Sequence, residues 1–234
     1  MDRLGFLESI KEQYDLVSVL SSKNSGSVIR MRHRSLKRDM VVRFYDASLK
    51  AYRLIKDLEI PGIPLIYDVA ELSDGQAILE EYVDGITVSQ VLESGKYTYK
   101  GASKVIKELC RPLSVLHSLG IVHRDIKPEN IIIGTKGKVF LIDLNASRTV
   151  KENSTKDTHI LGTLGYAPPE QFGISQSDKR ADIYALGVLL NVMLTGAHPG
   201  ACLAKGKAGR IVLKCTSIDP NKRFPCVESL ALAL

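Results

Sequence analysis

His123-Arg124-Asp125-Ile126-Lys127-Pro128-Glu129-Asn130, with Asp143 at the end of a later apolar run, is the stretch on which the reading of this chain turns. It sets a carboxylate, a lysine, an amide and a second carboxylate in the order needed to move a phosphoryl group. Asp125 can accept the proton of an attacking hydroxyl. Lys127 can neutralise charge spread over the migrating phosphoryl, and Asn130 with Asp143 can hold magnesium between phosphates. Asn130 lies five residues after Asp125, and Asp143 thirteen after Asn130. A carboxylate two residues after a histidine is in general more often structural; the remaining spacing reverses that expectation.

Outward from this stretch, further motifs follow in order. Gly162-Thr163-Leu164-Gly165-Tyr166-Ala167-Pro168-Pro169-Glu170 comes first, then Asp182-Ile183-Tyr184-Ala185-Leu186-Gly187, then Asp219-Pro220-Asn221-Lys222-Arg223-Phe224. Together with H-R-D-x-x-x-x-N they resemble the eukaryotic-type serine/threonine protein kinases, in the minimal form found in Gram-positive bacteria. The resemblance covers roughly residues 20 to 225. It implies an α+β, bilobal fold with a small antiparallel β-sheet lobe, a shortened helix and a mainly helical second lobe. One kinase domain over 1–234 would then divide into an upper lobe at 1–81, a hinge at 82–85 and a lower lobe at 86–234.

The same resemblance assigns roles. Asp125 is the base, Lys127 and Thr163 stand beside it, and Asn130 and Asp143 bind Mg2+. Gly26, Val28, Val41, Arg43, Glu80, Glu81, Val83 and Ile132 fall at nucleotide-binding positions, with ATP as the nucleotide. Lys127 and Thr163 indicate a protein Ser/Thr hydroxyl as acceptor. Arg223 is the expected partner of Glu170, and His123 is expected to pack beneath the metal-binding aspartate. Arg124 could pair with a phosphate on Thr149, Ser154, Thr155 or Thr158.

The upper lobe departs from the family pattern. Where glycines normally let backbone amides approach phosphates, the chain reads Ser21-Ser22-Lys23-Asn24-Ser25-Gly26-Ser27-Val28 and keeps only Gly26. Val41-Val42-Arg43 replaces A-x-K, which exchanges a compact ammonium for a planar fork. Ala51 occupies the position of the glutamate that usually pairs with that lysine. Glu80, on the neighbouring strand, is the expected replacement partner, because a buried carboxylate needs a cation; the alternative is a Glu80 that is protonated or bonded to water. Asp143-Leu144-Asn145 stands for D-F-G, with Asn145 suited to a positive φ.

Leu16 to Phe44 alternates β-branched and polar residues and reads as three antiparallel strands. A helix over Ala47–Leu58 and strands near Leu65–Ala70 and Gln76–Glu81 follow. The rest reads as a helix over Gly101–Leu119 holding Pro112, two short strands around Gly134–Gly137, and a buried helix over Ala181–Leu194. Between Thr195 and Ile211 apolar periodicity fades, and a docking helix of larger kinases looks missing.

Composition narrows the alternatives. The 234 residues are 44% hydrophobic and 25% charged, as in globular proteins. No apolar run approaches the ~18 residues of a membrane span, and Met1 to Leu20 lacks a signal-peptide core. Cys110, Cys202, Cys215 and Cys226 have no zinc spacing. No membrane partner and a cytoplasmic location are therefore expected. Net charge is +6, much of it in Arg30, Arg32, Arg34, Lys37, Arg38 and Arg43; this stripe suits the solvent face of a hairpin better than a nucleic-acid surface. A catalytically silent pseudokinase, drawing on Arg43 and Ala51, is the alternative function. A kinase of small molecules is a third, disfavoured by Gly162–Glu170.

Overall fold

The alternating pattern of the first third builds a five-stranded antiparallel sheet. The computed structural model describes residues 1–23, 26–149, 165–172 and 178–234. They fall into two units, Met1–Ile60 with Pro64–Val83, and Pro61–Ile63 with Asp84–Leu234.

The first unit begins with helix α1 (Arg3–Ile10), capped by Asp2, whose carboxylate accepts from Gly5 N at 2.8 Å. Strands β1 (Tyr14–Lys23), β2 (Gly26–His33) and β3 (Asp39–Tyr45) follow, then helix α2 (Lys50–Ile55) and strands β4 (Ile66–Leu72) and β5 (Gly75–Glu81). Sheet order is β1-β2-β3-β5-β4. Side chains alternate along a strand, so the register sorts them by face. Val28 lies opposite Arg43 and Arg43 opposite Ile78, while Arg30 lies opposite Val41 and Val41 opposite Glu80. Val28, Val41, Arg43 and Glu80 therefore share one face. The other face carries Met31, Met40, Val42, Phe44 and Ala77, packed with Phe6 of α1. Phe6 meets Phe44 edge-on at 5.9 Å, the anchor that holds α1, a helix the sequence reading did not anticipate.

Helix α2 is shorter than the Ala47–Leu58 expected from spacing, yet Ala51, Tyr52 and Ile55 are buried. The basic stripe is largely tied down. Asp39 takes both Arg30 and Arg32, the Arg30 guanidinium stacks on Tyr82 at 4.0 Å, and Arg34 reaches Asp15 at 2.8 Å. Arg43 leaves the stripe entirely and is buried.

The second unit starts with β6 (Gly85–Thr87) and α3 (Val88–Ser94), whose Thr87–Gln90 capping box was likewise unforeseen. Helix α4 (Tyr99–Ser118) runs through Pro112. Thr98 caps its start, and Gly120 at φ 75° ends it, as its position predicts. Strands β7 (Ile121–Val122), β8 (Ile131–Gly134), β9 (Val139–Leu141) and β10 (Arg148–Thr149) form two small sheets, β6-β8-β9 and β10-β7. Helix α5 (Arg180–Thr195) is buried on almost every side. Gly187 lets α6 (Gly206–Cys215) come close, since a Cβ there would sit 2.3 Å from that of Cys215. No helix is assigned between Thr195 and Gly206, in keeping with the missing docking helix, although α6 itself begins inside the stretch read as aperiodic. Helix α7 (Val227–Ala233) completes the unit.

Among the described residues no helix is long and apolar enough to cross a membrane. All four cysteines are free. Burial pushes the Cys110 and Cys215 thiols up to about 12, while Cys202 is exposed. An aromatic disulfide reagent at pH 8 should therefore label Cys202 rapidly and reach Cys110 and Cys215 only after denaturation, since the thiolate is the nucleophile. Native labelling of Cys110 or Cys215, read by mass, would contradict this packing.

Candidate active site

The loop between β7 and β8 is fixed from below by one carboxylate. Asp182, fully buried in the first turn of α5, accepts from His123 N at 3.0 Å and Arg124 N at 2.8 Å. His117 Nε2, in the last turn of α4, lies 2.8 Å from the same carboxylate. Burial by itself would raise the Asp182 carboxyl. The His117 bond and the Arg124 amide outweigh it and hold the group below the ordinary carboxylate value. With these amides held, Arg124 adopts φ 68°, a left-handed conformation that only a well-determined surrounding sustains. Gln171 Nε2 donates to the Arg124 carbonyl at 3.0 Å, holding the turn from a second side.

That turn carries Asp125 to a half-buried position among polar neighbours. Lys127 Nζ lies 2.8 Å from Asp125 Oδ2. Asn130 Nδ2 donates to the same oxygen and to the Asp125 carbonyl, each at 2.9 Å. Pro128–Asn130 forms a single 3₁₀ turn, and buried Ile126 and Pro128 hold it against the unit. With the Asn130 amide nitrogen facing Asp125, its Oδ1 is the atom available to a cation. Asn130 O accepts from Ile142 N at 2.9 Å, so the residue preceding Asp143 is bonded to the asparagine's own backbone. An amide oxygen and a carboxylate are the hard ligands that Mg2+ takes when phosphates and water complete its shell.

His123 is completely buried, and burial lowers its imidazole below the ordinary 6.5 against the pull of Asp182, Asp125 and Asp143. It is a neutral packing element close to Asp125 and Asp143, in agreement with the structural role expected of it. Leu144 is buried, filling the place its bulk suggested. The expectation for Asn145 needs correction. Outside glycine, positive φ among the described residues occurs at Lys37, Arg124 and Asp143, not Asn145. The positive φ sits two residues earlier because the Asp143 side chain closes back on the chain and accepts from Asn145 N at 3.1 Å.

In the first unit, Arg43 Nε donates to Glu80 Oε1 in a buried ion pair. They stand diagonally across adjacent strands, which is how a fork and a carboxylate meet on one sheet face. Val41 is buried and Val28 half-buried on that face. Gly26 opens β2 opposite Lys23. Glu81 bonds through its N–H to Leu65 O at 2.8 Å, and Val83 ends the unit half-buried. Ile132, in the second unit, lies half-buried on β8. Thr163, and the phosphate-acceptor candidates Ser154, Thr155 and Thr158, lie outside the described residues; Thr149 pairs with Ile121 in the β10-β7 ladder.

Arg223 closes on Glu170 through two bonds of 2.5 and 2.9 Å, as its sequence position leads one to expect. It also reaches the carbonyls of Ser217, Arg180 and Ile218. Asp182, His117 and Gln171 were not singled out as functional. The visible signal was Asp182 itself, a charge in a helix apolar almost all round, which demands a buried partner.

One unit is thus a sheet with a buried arginine on β3, and the other is mainly helical and presents Asp125, Lys127 and Asn130 on a strained loop. Residues 22–218 match the protein kinase domain family, and the chain belongs to it. It is 31% identical over 209 residues to the serine/threonine-protein kinase PknB of Mycobacterium tuberculosis, covering 81% of this chain and 33% of that protein. It is 34% identical over 145 residues to the probable serine/threonine-protein kinase PknB of Lactococcus lactis, covering 61% and 23%. The chain thus spans about a third or less of the length of these relatives. Family membership carries with it the use of ATP and a divalent metal.

Proposed function

We propose that this chain is a serine/threonine protein kinase that transfers the γ-phosphoryl group of ATP to a protein hydroxyl with Mg2+. The observation that carries the reading is the convergence on Asp125 Oδ2, which has Lys127 Nζ at 2.8 Å and Asn130 Nδ2 at 2.9 Å. Asp125 takes the proton of the serine or threonine hydroxyl as its oxygen bonds to the γ-phosphorus. The bond from that phosphorus to the β–γ bridging oxygen breaks, and ADP leaves. Lys127 offsets charge on the equatorial oxygens, and Asn130 and Asp143 would hold Mg2+, which would supply charge neutralisation at the phosphates. Thr163 joins Lys127 in positioning the acceptor. In the first unit, Arg43 serves the phosphates, while Val28, Val41, Glu81 and Val83 serve the adenine.

The relatives' names support the serine/threonine class. The need for ATP and four free cysteines support a cytoplasmic location. The bonded arginines of the hairpin argue against nucleic acid as a partner. The test is phosphate incorporation into a generic protein acceptor with Mg·ATP, beside Asp143→Asn. Incorporation should fall to background in the variant, because an amide is a poor substitute for the carboxylate at a magnesium ion. Nucleotide-dependent thermal stabilisation of the wild-type chain without incorporation would instead identify a pseudokinase.

A further inference from the structure

In a protein kinase the β3 cation is ordinarily held by a carboxylate on the following helix, so movement of that helix sets the cation and hence activity. This chain cannot work that way. Helix α2, Lys50–Ile55, has the sequence Lys-Ala-Tyr-Arg-Leu-Ile and contains no carboxylate. Arg43 is instead bonded to Glu80 of β5, two strands of one sheet that are hydrogen-bonded along six residue pairs. A cation fixed within a sheet has no hinge to move it.

Helix α2 is itself fastened to the same sheet at several points. Tyr52 Oη lies 2.8 Å from Tyr45 Oη, on the strand and face that carry Arg43. Buried Gln76 on β5 supplies the cap that the helix lacks, its Oε1 accepting from Leu49 N at 3.1 Å and its Nε2 donating to Glu71. Arg53 pairs with Glu71 at 2.5 Å and Lys56 with Asp68 at 2.7 Å, both on β4.

We infer that Glu80 is the positioning residue for the phosphate-binding Arg43, and that this in-sheet pair removes α2 from control of the nucleotide site. The inference rests on the kinase reading for its consequence but is measurable on nucleotide binding alone. Control of such an enzyme would have to enter elsewhere than through this helix.

The experiment compares Mg·ATP-induced melting shifts, and ATP KM and kcat, across three variants of the full chain. Glu80→Gln should lose the melting shift and lower kcat/KM by about a hundredfold, the scale of losing one preorganised charge at a transferring phosphoryl group. Because a buried arginine left alone can unfold the unit, the double variant Arg43→Gln/Glu80→Gln leaves neither charge behind. It should melt cooperatively and still show no nucleotide shift. Arg53→Ala/Lys56→Ala loosens α2 from β4 without touching the pair, and should keep both the shift and kcat within about two-fold of wild type.

A double variant that folds and binds Mg·ATP as wild type does would overturn the positioning role. Loss of nucleotide response in Arg53→Ala/Lys56→Ala, comparable to that in Glu80→Gln, would overturn the uncoupling. A wild-type chain that never responds to Mg·ATP would remove the phosphate Arg43 is said to hold. A wild-type chain that binds nucleotide but transfers no phosphate would sink the kinase reading alone, with the melting shifts still deciding this one.

Discussion

Asp182→Asn is expected to lower the melting temperature by about 10 °C and kcat by about a hundredfold. The carboxylate is completely buried and accepts from three donors, His123 N, Arg124 N and His117 Nε2. Asparagine keeps the shape but replaces one acceptor oxygen with an NH2, so a donor must face a donor at a fully buried position. Breaking one side of such a buried charged network costs about 3–5 kcal/mol. The catalytic consequence follows from Arg124, whose left-handed φ of 68° is held by the amide bonded to Asp182. When that residue relaxes, Asp125 moves with it, and misplacement by ~1 Å is worth about two orders of magnitude. Calorimetry and steady-state kinetics on the same preparation check both numbers. Wild-type turnover from a destabilised variant would show that Asp182 serves folding alone.

The same cluster sets the acid limit of stability. The folded His123 imidazole titrates below its ordinary 6.5, so below that pH the unfolded chain binds the proton first and stability falls as pH falls. Asp182 titrates below its ordinary 3.8 in the folded state, so its contribution is full above that value and is lost as pH drops through the folded pKa. Melting temperature should therefore decline in two stages, the first setting in near pH 6.5 and the second below about pH 4. His123→Phe should flatten the first stage and leave the second. A first stage unchanged in that variant would refute the assignment.

Glu170→Ala is expected to be the most destabilising change in the second unit after Asp182→Asn. It leaves the Arg223 guanidinium, 3% exposed, without its carboxylate, a loss of about 3–5 kcal/mol. Arg223 also bonds three carbonyls, so it cannot swing out to water without undoing the Ser217–Ile218 turn and the start of α5. Replacing both partners, Glu170→Met with Arg223→Met, should recover most of the loss, because no charge is then stranded. Activity should not recover equally. Gln171 follows Glu170 directly and holds the Arg124 carbonyl, so slack at Glu170 reaches the turn that carries Asp125 through one peptide. A double variant as unstable as Glu170→Ala, in denaturant titrations, would show that the arginine's carbonyl bonds and not the ion pair carry the stability.

Much of this architecture was legible in the chain because it is local. Period-two alternation gave the strands of the first unit, and the need of a buried carboxylate for a cation gave Glu80 to Arg43 before any geometry. Helix α4 followed from apolar spacing and from Gly120. What escaped had weak local signals. Helix α1 depends on Phe6 finding Phe44, thirty-eight residues away. Asn145 looked like the residue for a left-handed turn by propensity, yet Asp143 takes that conformation because its own carboxylate closes the turn. Gln76 reads as an ordinary strand polar residue and is in fact the missing cap of α2.

Residue type and spacing by themselves determined which groups could do chemistry here, since proton acceptance, charge neutralisation and hard-cation binding are properties of Asp125, Lys127, Asn130 and Asp143 as side chains. Only the tertiary structure decided how those groups are held. Asp182, Gln171 and His117 come from elements far apart in the chain, and a hydrogen bond acts only within about 3 Å. Their contribution exists once packing has brought those elements together; the lone charge of Asp182 in an apolar helix signals a partner but does not say which.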